Sequence, residues 1–143
     1  PHLADIRAQK RVLWVDDNPS NNALEIAALR GLQIEVQTRT NTEDALAALQ
    51  DAERVQEPYD LVISDWNRVP TQQADQPEGL RLLRLLRAQA KRPPVIFYHG
   101  EFDPERAKQR LDLAVKQGGS GAANLPDDLL RQVAEALIRT ETA

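Results

Sequence analysis

Residues 11–22 read RVLWVDDNPSNN, an apolar run that ends abruptly in two aspartates, an asparagine and a proline. A short apolar run followed by turn-forming residues is typical of a buried β-strand and the turn behind it. Pro19 suits the first turn of a helix, and Asn18 is predicted to cap that helix. The segment therefore predicts a strand, a turn that carries Asp16 and Asp17, and then a helix.

Four further strand-then-helix units follow this first one. Strands are predicted at residues 32–36, 59–64, 95–98 and 121–124, each a short apolar or alternating run. The later helices are predicted to begin near Asn41 or Thr42, Glu78, Asp103 and Pro126. The third helix is expected over residues 78–90 and the last over residues 126–139. Because each parallel crossover needs a helix, this alternation indicates a parallel sheet covered on both faces, with too few units for an eight-unit barrel.

Length, charge and amino-acid composition limit the classes of protein to which the chain can belong. At 143 residues with 41% hydrophobic content, the chain is long enough for one domain with a core. Residues 11–140 are expected to form it, between an N-terminal extension at 1–10 and a C-terminal tail at 141–143. The 18 basic and 22 acidic side chains give a net charge of -4, which offers no general attraction to nucleic acid or acidic membranes. Cysteine is absent and no apolar run approaches the roughly 20 residues of a membrane span, so a cytoplasmic protein is expected.

One helix face is basic. Arg81, Arg84 and Arg87 recur at helical spacing in the third helix, and Lys91 and Arg92 follow it. Such a stripe is more often a solvated face than a nucleic-acid surface, and the solvated face is the interpretation favoured here.

Three aspartates are expected to meet at one edge of the sheet. Asp16 and Asp17 follow the first strand, and Asp65 follows the third. In the strand order 2-1-3-4-5 these strands are neighbours, at the point where ligands bind to open parallel sheets. Three carboxylates repel one another unless a cation lies among them, and Mg²⁺ prefers oxygen ligands. Asp17, Asp65 and the Asn67 backbone carbonyl are candidate ligands, with Asp16 holding a bound water, and Asp65 is the candidate nucleophile toward phosphorus.

A simpler interpretation is that these aspartates serve only as turn and cap residues. Their matched places at two strand ends favour a functional site over that interpretation.

Four segments resemble the receiver domains of response regulators in two-component systems. RVLWVDDNPSNN looks like their opening strand and acidic pair, PYDLVISDWN like their phosphoacceptor strand, and PEGLRLLRLLR and PPVIFYHG like their third helix and fourth strand. The resemblance implies a flavodoxin-like (βα)5 fold, an α/β doubly wound parallel sheet in the order 2-1-3-4-5. It also implies phosphorylation at Asp65 and Mg²⁺ binding by Asp16, Asp17, Asp65 and Asn67.

The resemblance further implies a signalling module rather than an enzyme. Its phosphoryl donor would be a histidine kinase or a phosphotransfer protein, and its output would pass to a downstream protein. A homodimer would use the face formed by the fourth helix, fifth strand and fifth helix.

Several positions depart from the family pattern. His99 stands in place of the hydroxyl residue that ends the fourth strand, Leu125 in place of the lysine that ends the fifth, and Ala122 at the aromatic switch position. Arg68 and a protonated His99 are the candidates for the missing cation. The loop after Asp65 is longer than in the family, and Trp66 is expected to be partly exposed beside the site.

Three functions follow from these observations. The first is a receiver regulated by phosphorylation at Asp65. The second is a receiver-like interaction module, or pseudo-receiver, whose binding does not depend on phosphorylation. The third is a small phosphatase or nucleotide-binding protein, which is disfavoured because the turn after the first strand lacks a glycine-rich phosphate cradle and has Asn18 where a general acid would stand.

Overall fold

A single parallel sheet organises the chain, and the computed structural model describes residues 9–67, 77–89 and 92–142. Its strand order is β2-β1-β3-β4-β5. The strands are β1 (Arg11–Val15), β2 (Glu35–Arg39), β3 (Leu61–Ser64), β4 (Val95–Tyr98) and β5 (Gly121–Ala123). The helices are α1 (Ala23–Gly31, after a 3-10 turn at Pro19–Asn22), α2 (Thr42–Arg54), α3 (Glu78–Arg87), α4 (Pro104–Lys116) and α5 (Pro126–Thr142). The predicted flavodoxin-like fold and the strand order 2-1-3-4-5 are confirmed.

Two apolar layers hold the helices against the sheet. On one face the odd-numbered positions of β1, such as Leu13 and Val15, pack with buried residues of α2, α3 and α4. On the other face Val12 and Trp14 pack with buried residues of α1 and α5. This alternation follows from the period of two along a strand, which places successive side chains on opposite faces.

The register of the central strands places the ends of β1 and β3 at the same level. Val15 lies opposite Ser64, the last residue of β3. The backbone N–H of Asp65 then donates to the Val15 carbonyl at 3.0 Å, and that of Asp16 donates to the Arg39 carbonyl at 3.0 Å. The residues that follow the two strands are therefore fixed side by side.

The predicted second strand at residues 32–36 is wrong by three positions. Leu32 is exposed, and Gln33 adopts a left-handed backbone conformation with φ 68°. The N–H of Ile34 still bonds back to the Leu29 carbonyl at 3.1 Å, so the chain is leaving α1 until Glu35. The apolar alternation there marks a helix end and not yet a strand.

Other element bounds differ by smaller amounts. β3 begins at Leu61 rather than residue 59, β5 ends at Ala123 rather than residue 124, α3 ends at Arg87 rather than residue 90, and α5 continues to Thr142. Asn18 was expected to cap the first helix, but its side chain accepts a hydrogen bond from the Ser20 hydroxyl at 2.7 Å and makes no capping bond to a backbone N–H. By contrast, Asn41 caps α2 and Asp103 caps α4, at the predicted starts of these helices.

The basic stripe of the third helix is not uniformly solvated. Arg81 is half-buried, with its guanidinium 2.7 Å from Glu43 and 3.2 Å from Glu78. Arg84, Arg87 and Arg92 are exposed. Lys91 lies outside the described residues. Within the part of the chain that the structure describes, no helix is long and apolar enough to cross a bilayer.

Candidate functional site

Three carboxylates meet beyond the carboxyl ends of β1 and β3. Ligand oxygens of Asp16, Asp17 and Asp65 all lie within 4.8 Å of one another. Asp65 is buried, Asp16 is half-buried and Asp17 is exposed, so the cluster faces solvent on one side. The structure thus brings together the three aspartates that the sequence singled out.

Asp16 is held in place by its own turn. One of its oxygens accepts from the backbone N–H of Asn18 at 2.8 Å, and the other accepts from Nδ2 of the buried Asn22 at 2.9 Å. Both oxygens are therefore oriented before any ligand arrives. Asn22 could not be predicted from the sequence, because a polar side chain in a 3-10 turn carries no distinctive pattern.

The cluster lies in a pocket of about 540 Å³. Asn67 lines this pocket beside Asp65. Among the described residues, its lining contains the carboxylates of Asp16, Asp17, Glu25, Asp65 and Glu101 and the guanidinium of Arg110. Carboxylate and carbonyl oxygens are hard donors suited to a divalent cation, and so large an excess of negative charge would repel an anion without one. The donor set therefore fits Mg²⁺.

Solved structures similar to this chain carry the same architecture. The chemotaxis response regulator CheY4 of Vibrio cholerae is 28% identical, with a TM-score of 0.67 over 90% of this chain and 99% of that one. The receiver domain of Francisella response regulator 1452 gives a TM-score of 0.71 at 21% identity, over 92% and 99% of the two chains. A CheY-like receiver domain protein from Methanospirillum hungatei JF-1 gives 0.70 at 22% identity, over 94% and 98%. At 21% and 22% identity, the last two structures show only that the fold is shared.

This chain has the fold of response-regulator receiver domains. No protein-family model and no curated protein sequence matches it, so the similarity is carried by structure.

Trp66 forms one wall of the pocket, and it is buried rather than partly exposed as expected. Its ring packs edge-on against Phe97, with centroids 5.2 Å apart, and the Arg110 guanidinium lies over it. The backbone N–H of Gly79 donates to the Trp66 carbonyl at 3.0 Å. A Cβ on Gly79 would stand 2.3 Å from the Asp65 carbonyl oxygen, so only glycine allows α3 to begin this close to the site.

His99 directly follows β4, and its side chain is neutral at neutral pH. Burial and the positive charge of Arg110 lower its pKa to about 4, against a partial opposing effect from Glu101. Its Nδ1 accepts from the Glu101 backbone N–H at 3.2 Å, which leaves the proton of the neutral ring on Nε2. The lowered pKa keeps His99 neutral in the unphosphorylated pocket, and its protonation beside a phosphoryl group stays a prediction. At this position the chain has an N–H donor, where the resemblance places a hydroxyl.

Tyr98 closes the pocket on the side of α1. Its hydroxyl donates to Glu25 at 2.8 Å, and its ring packs edge-on against Trp14. Burial, and then the Glu25 carboxylate, raise the pKa of Tyr98, so the hydroxyl stays a donor. This tie between β4 and α1 was not predicted, because it joins residues far apart in sequence.

The remaining predicted positions lie apart from the acidic cluster or outside the described residues. Leu125 is exposed and lines a separate surface hollow with Asp127 and Arg131. Ala122 is buried in β5 opposite Phe97. Arg68 lies outside the described residues.

Proposed function

We propose that this receiver domain accepts a phosphoryl group on Asp65 and thereby regulates contacts with other proteins. The observation that carries the proposal is the convergence of the Asp16, Asp17 and Asp65 carboxylates within 4.8 Å at two neighbouring strand ends. An isolated acidic pair would be ordinary turn chemistry, whereas three carboxylates that converge in one pocket resemble a site for phosphoryl chemistry.

The proposed reaction is a displacement at phosphorus. A carboxylate oxygen of Asp65 attacks, a new O–P bond forms, and the bond from phosphorus to the donor breaks with its electron pair leaving on the donor. The donor would be a phosphohistidine of a histidine kinase or phosphotransfer protein. Magnesium would be held by Asp16, Asp17, Asp65 and the Asn67 carbonyl, where it would neutralise charge on the transferred group. In this proposal the module is a signalling domain and not an enzyme with its own substrate.

A pseudo-receiver function is the second candidate, and the altered switch positions favour it. Leu125 is exposed where the family has a lysine, and Ala122 carries no aromatic ring. Under this alternative, binding to a downstream partner, or to a second copy of the chain, would be the same in wild type and in Asp65→Ala.

A mass measurement separates the two functions. The purified chain is incubated with acetyl phosphate and MgCl₂, and the intact mass is recorded. Phosphorylation adds about 80 Da, is lost with EDTA and in Asp65→Asn, and persists in Asp112→Asn, which removes an exposed carboxylate on α4. No adduct on the wild-type chain would overturn the proposed function and favour the pseudo-receiver.

A further inference from the structure

A phosphoryl group on Asp65 would need a cation from the protein, and the usual source is missing. The pocket is dominated by carboxylates. Leu125 offers no charge, and the neutral His99 offers none either. We propose that Arg110 of α4 binds the phosphoryl group in place of the family's lysine. This inference rests on the proposed function of Asp65.

Arg110 is placed beside the phosphoacceptor position. Its guanidinium carbon lies 5.4 Å from the centroid of the Trp66 ring, and Trp66 is the residue directly after Asp65. The ring is itself fixed by its edge contact with Phe97 at 5.2 Å. A guanidinium stacked on an aromatic face is restrained in position while its N–H groups remain available at its edges.

The charge of Arg110 is not taken up by another side chain in the described part of the molecule. Among residues 9–67, 77–89 and 92–142, Arg110 is the one lysine or arginine that lines the pocket, and no salt bridge engages it. Its neighbour on α4, Arg106, is by contrast paired with Glu101 at 3.3 Å. Arg110 is therefore a half-buried cation that contacts the Trp66 ring and lines an acidic pocket, with no ion-pair partner among the described residues.

The field of Arg110 reaches the end of β4. Together with burial, its charge lowers the pKa of His99, which lines the same pocket. Arg110 thus acts on the two places that would surround a phosphoryl group, the Asp65–Trp66 segment and the His99 ring.

The chemistry of the guanidinium suits a tetrahedral oxyanion. Its planar fork can donate two parallel hydrogen bonds to phosphoryl oxygens, which an ammonium cannot match in geometry. The cation would also come from α4 and not from the end of β5. The contact with Arg110 would then connect the phosphoryl group to α4 and to the Trp66 ring beneath the guanidinium.

Calorimetric titration of the full chain tests this assignment. The probes are MgCl₂ alone, and beryllofluoride in the presence of MgCl₂ as a tetrahedral analogue of the phosphoryl group. Arg110→Gln is expected to weaken beryllofluoride binding by about 10-fold or more, since a charge-assisted contact is lost. Its Mg²⁺ affinity should be equal or higher, because a positive charge has left the pocket. Arg110→Lys, which keeps the charge but not the fork, should fall between Arg110→Gln and wild type.

Lys108→Gln is the matched control, because it removes the same charge from an exposed position of α4. It should bind both probes as the wild type does. Equal beryllofluoride affinity in Arg110→Gln and Lys108→Gln would overturn the role of Arg110 while leaving Asp65 intact. Parallel loss of both probes in Arg110→Gln would also overturn it, since that indicates a structural role. No beryllofluoride binding by the wild type would overturn the proposed function itself.

Discussion

At the scale of single residues, the charge states around Asp65 decide what the pocket can hold. In the proposed site, His99 and Arg110 take the places that the family gives to a hydroxyl and a lysine. Burial favours the neutral form of His99, which donates through its ring N–H. Arg110 supplies a positive charge to the pocket from α4. Each of these states has a measurable consequence.

The first consequence is a dependence of stability on pH. The pKa of His99 is about 4 in the folded chain, below its ordinary 6.5, so between these values the unfolded chain binds more protons. Stability should therefore fall as pH drops from 6.5 towards 4. Urea unfolding of wild type and His99→Gln across this window should show a flatter pH dependence in the variant. The same slope in both chains would contradict a half-buried neutral His99.

The hydrogen bond from Asn22 to Asp16 is also expected to prepare the metal site. Removing it in Asn22→Ala should lower Mg²⁺ affinity by about 10-fold or more, because ligands that lose their orienting partners bind metals less well. The adjacent Asn21→Ala changes an exposed side chain that lines the same pocket without bonding to Asp16. Titration with MgCl₂ should separate the two variants, and equal affinities would show that this hydrogen bond does not prepare the site.

At the scale of secondary-structure elements, the start of α3 supports the site from beneath. Glu78 is buried, accepts from the Thr42 hydroxyl at 2.9 Å and pairs with Arg81, which joins α3 to α2. Gly79, the next residue, packs against the Asp65–Trp66 backbone. The position of Asp65 therefore depends on how closely α3 approaches.

Gly79→Ala should destabilise the fold by roughly 1–3 kcal/mol, because its Cβ would collide with the Asp65 carbonyl and Phe97. Gly31→Ala is the matched control, since a Cβ at Gly31 meets nothing within 4 Å in the described structure. Alanine is the better helix former, so Gly31→Ala should leave stability unchanged or raise it by up to about 1 kcal/mol. Chemical denaturation measures both, and equal stabilities would contradict the close contact of α3.

The order and type of the elements could be predicted from sequence because buried strands and capped helices leave local patterns. Asp103 before Pro104 marks the start of α4 directly. The residues at which elements end were harder to predict. The bounds of β2 depend on the left-handed conformation of Gln33, which no local sequence pattern predicts.

Part of the site could also be predicted from the sequence, and part could not. Asp16, Asp17 and Asp65 follow strands, so topology alone brings them together. Asn22, Tyr98 and Arg110 reach the pocket through tertiary packing, and the sequence gives no spacing that connects them with Asp65.

At the scale of the whole molecule, a metal ion bound in the acidic pocket would couple binding to folding. The three carboxylates come from two strand ends that are adjacent only in the folded chain. A cation that binds them stabilises the folded state by mass action, by about 2.7 kcal/mol at 100 times its Kd. Mg²⁺ should raise the Tm of the wild type, and EDTA should reverse the rise.

Asp17→Asn should lose most of this Mg²⁺-dependent rise in Tm, because it removes one of the three carboxylates. Asp112→Asn, an exposed carboxylate on α4, should retain it. Thermal denaturation monitored by circular dichroism gives the comparison. An equal rise in both variants would mean that Mg²⁺ binds elsewhere.

The most direct test of the account is to locate the phosphoryl group. Reduction of the acyl phosphate with borohydride converts the modified aspartate to homoserine, and trypsin separates the peptide of residues 55–68 from that of residues 12–30. Tandem mass spectrometry should find homoserine at position 65 and unchanged aspartate at positions 16, 17 and 60. Modification at any of those three positions, or at none, would contradict the assignment of Asp65 as the phosphoacceptor.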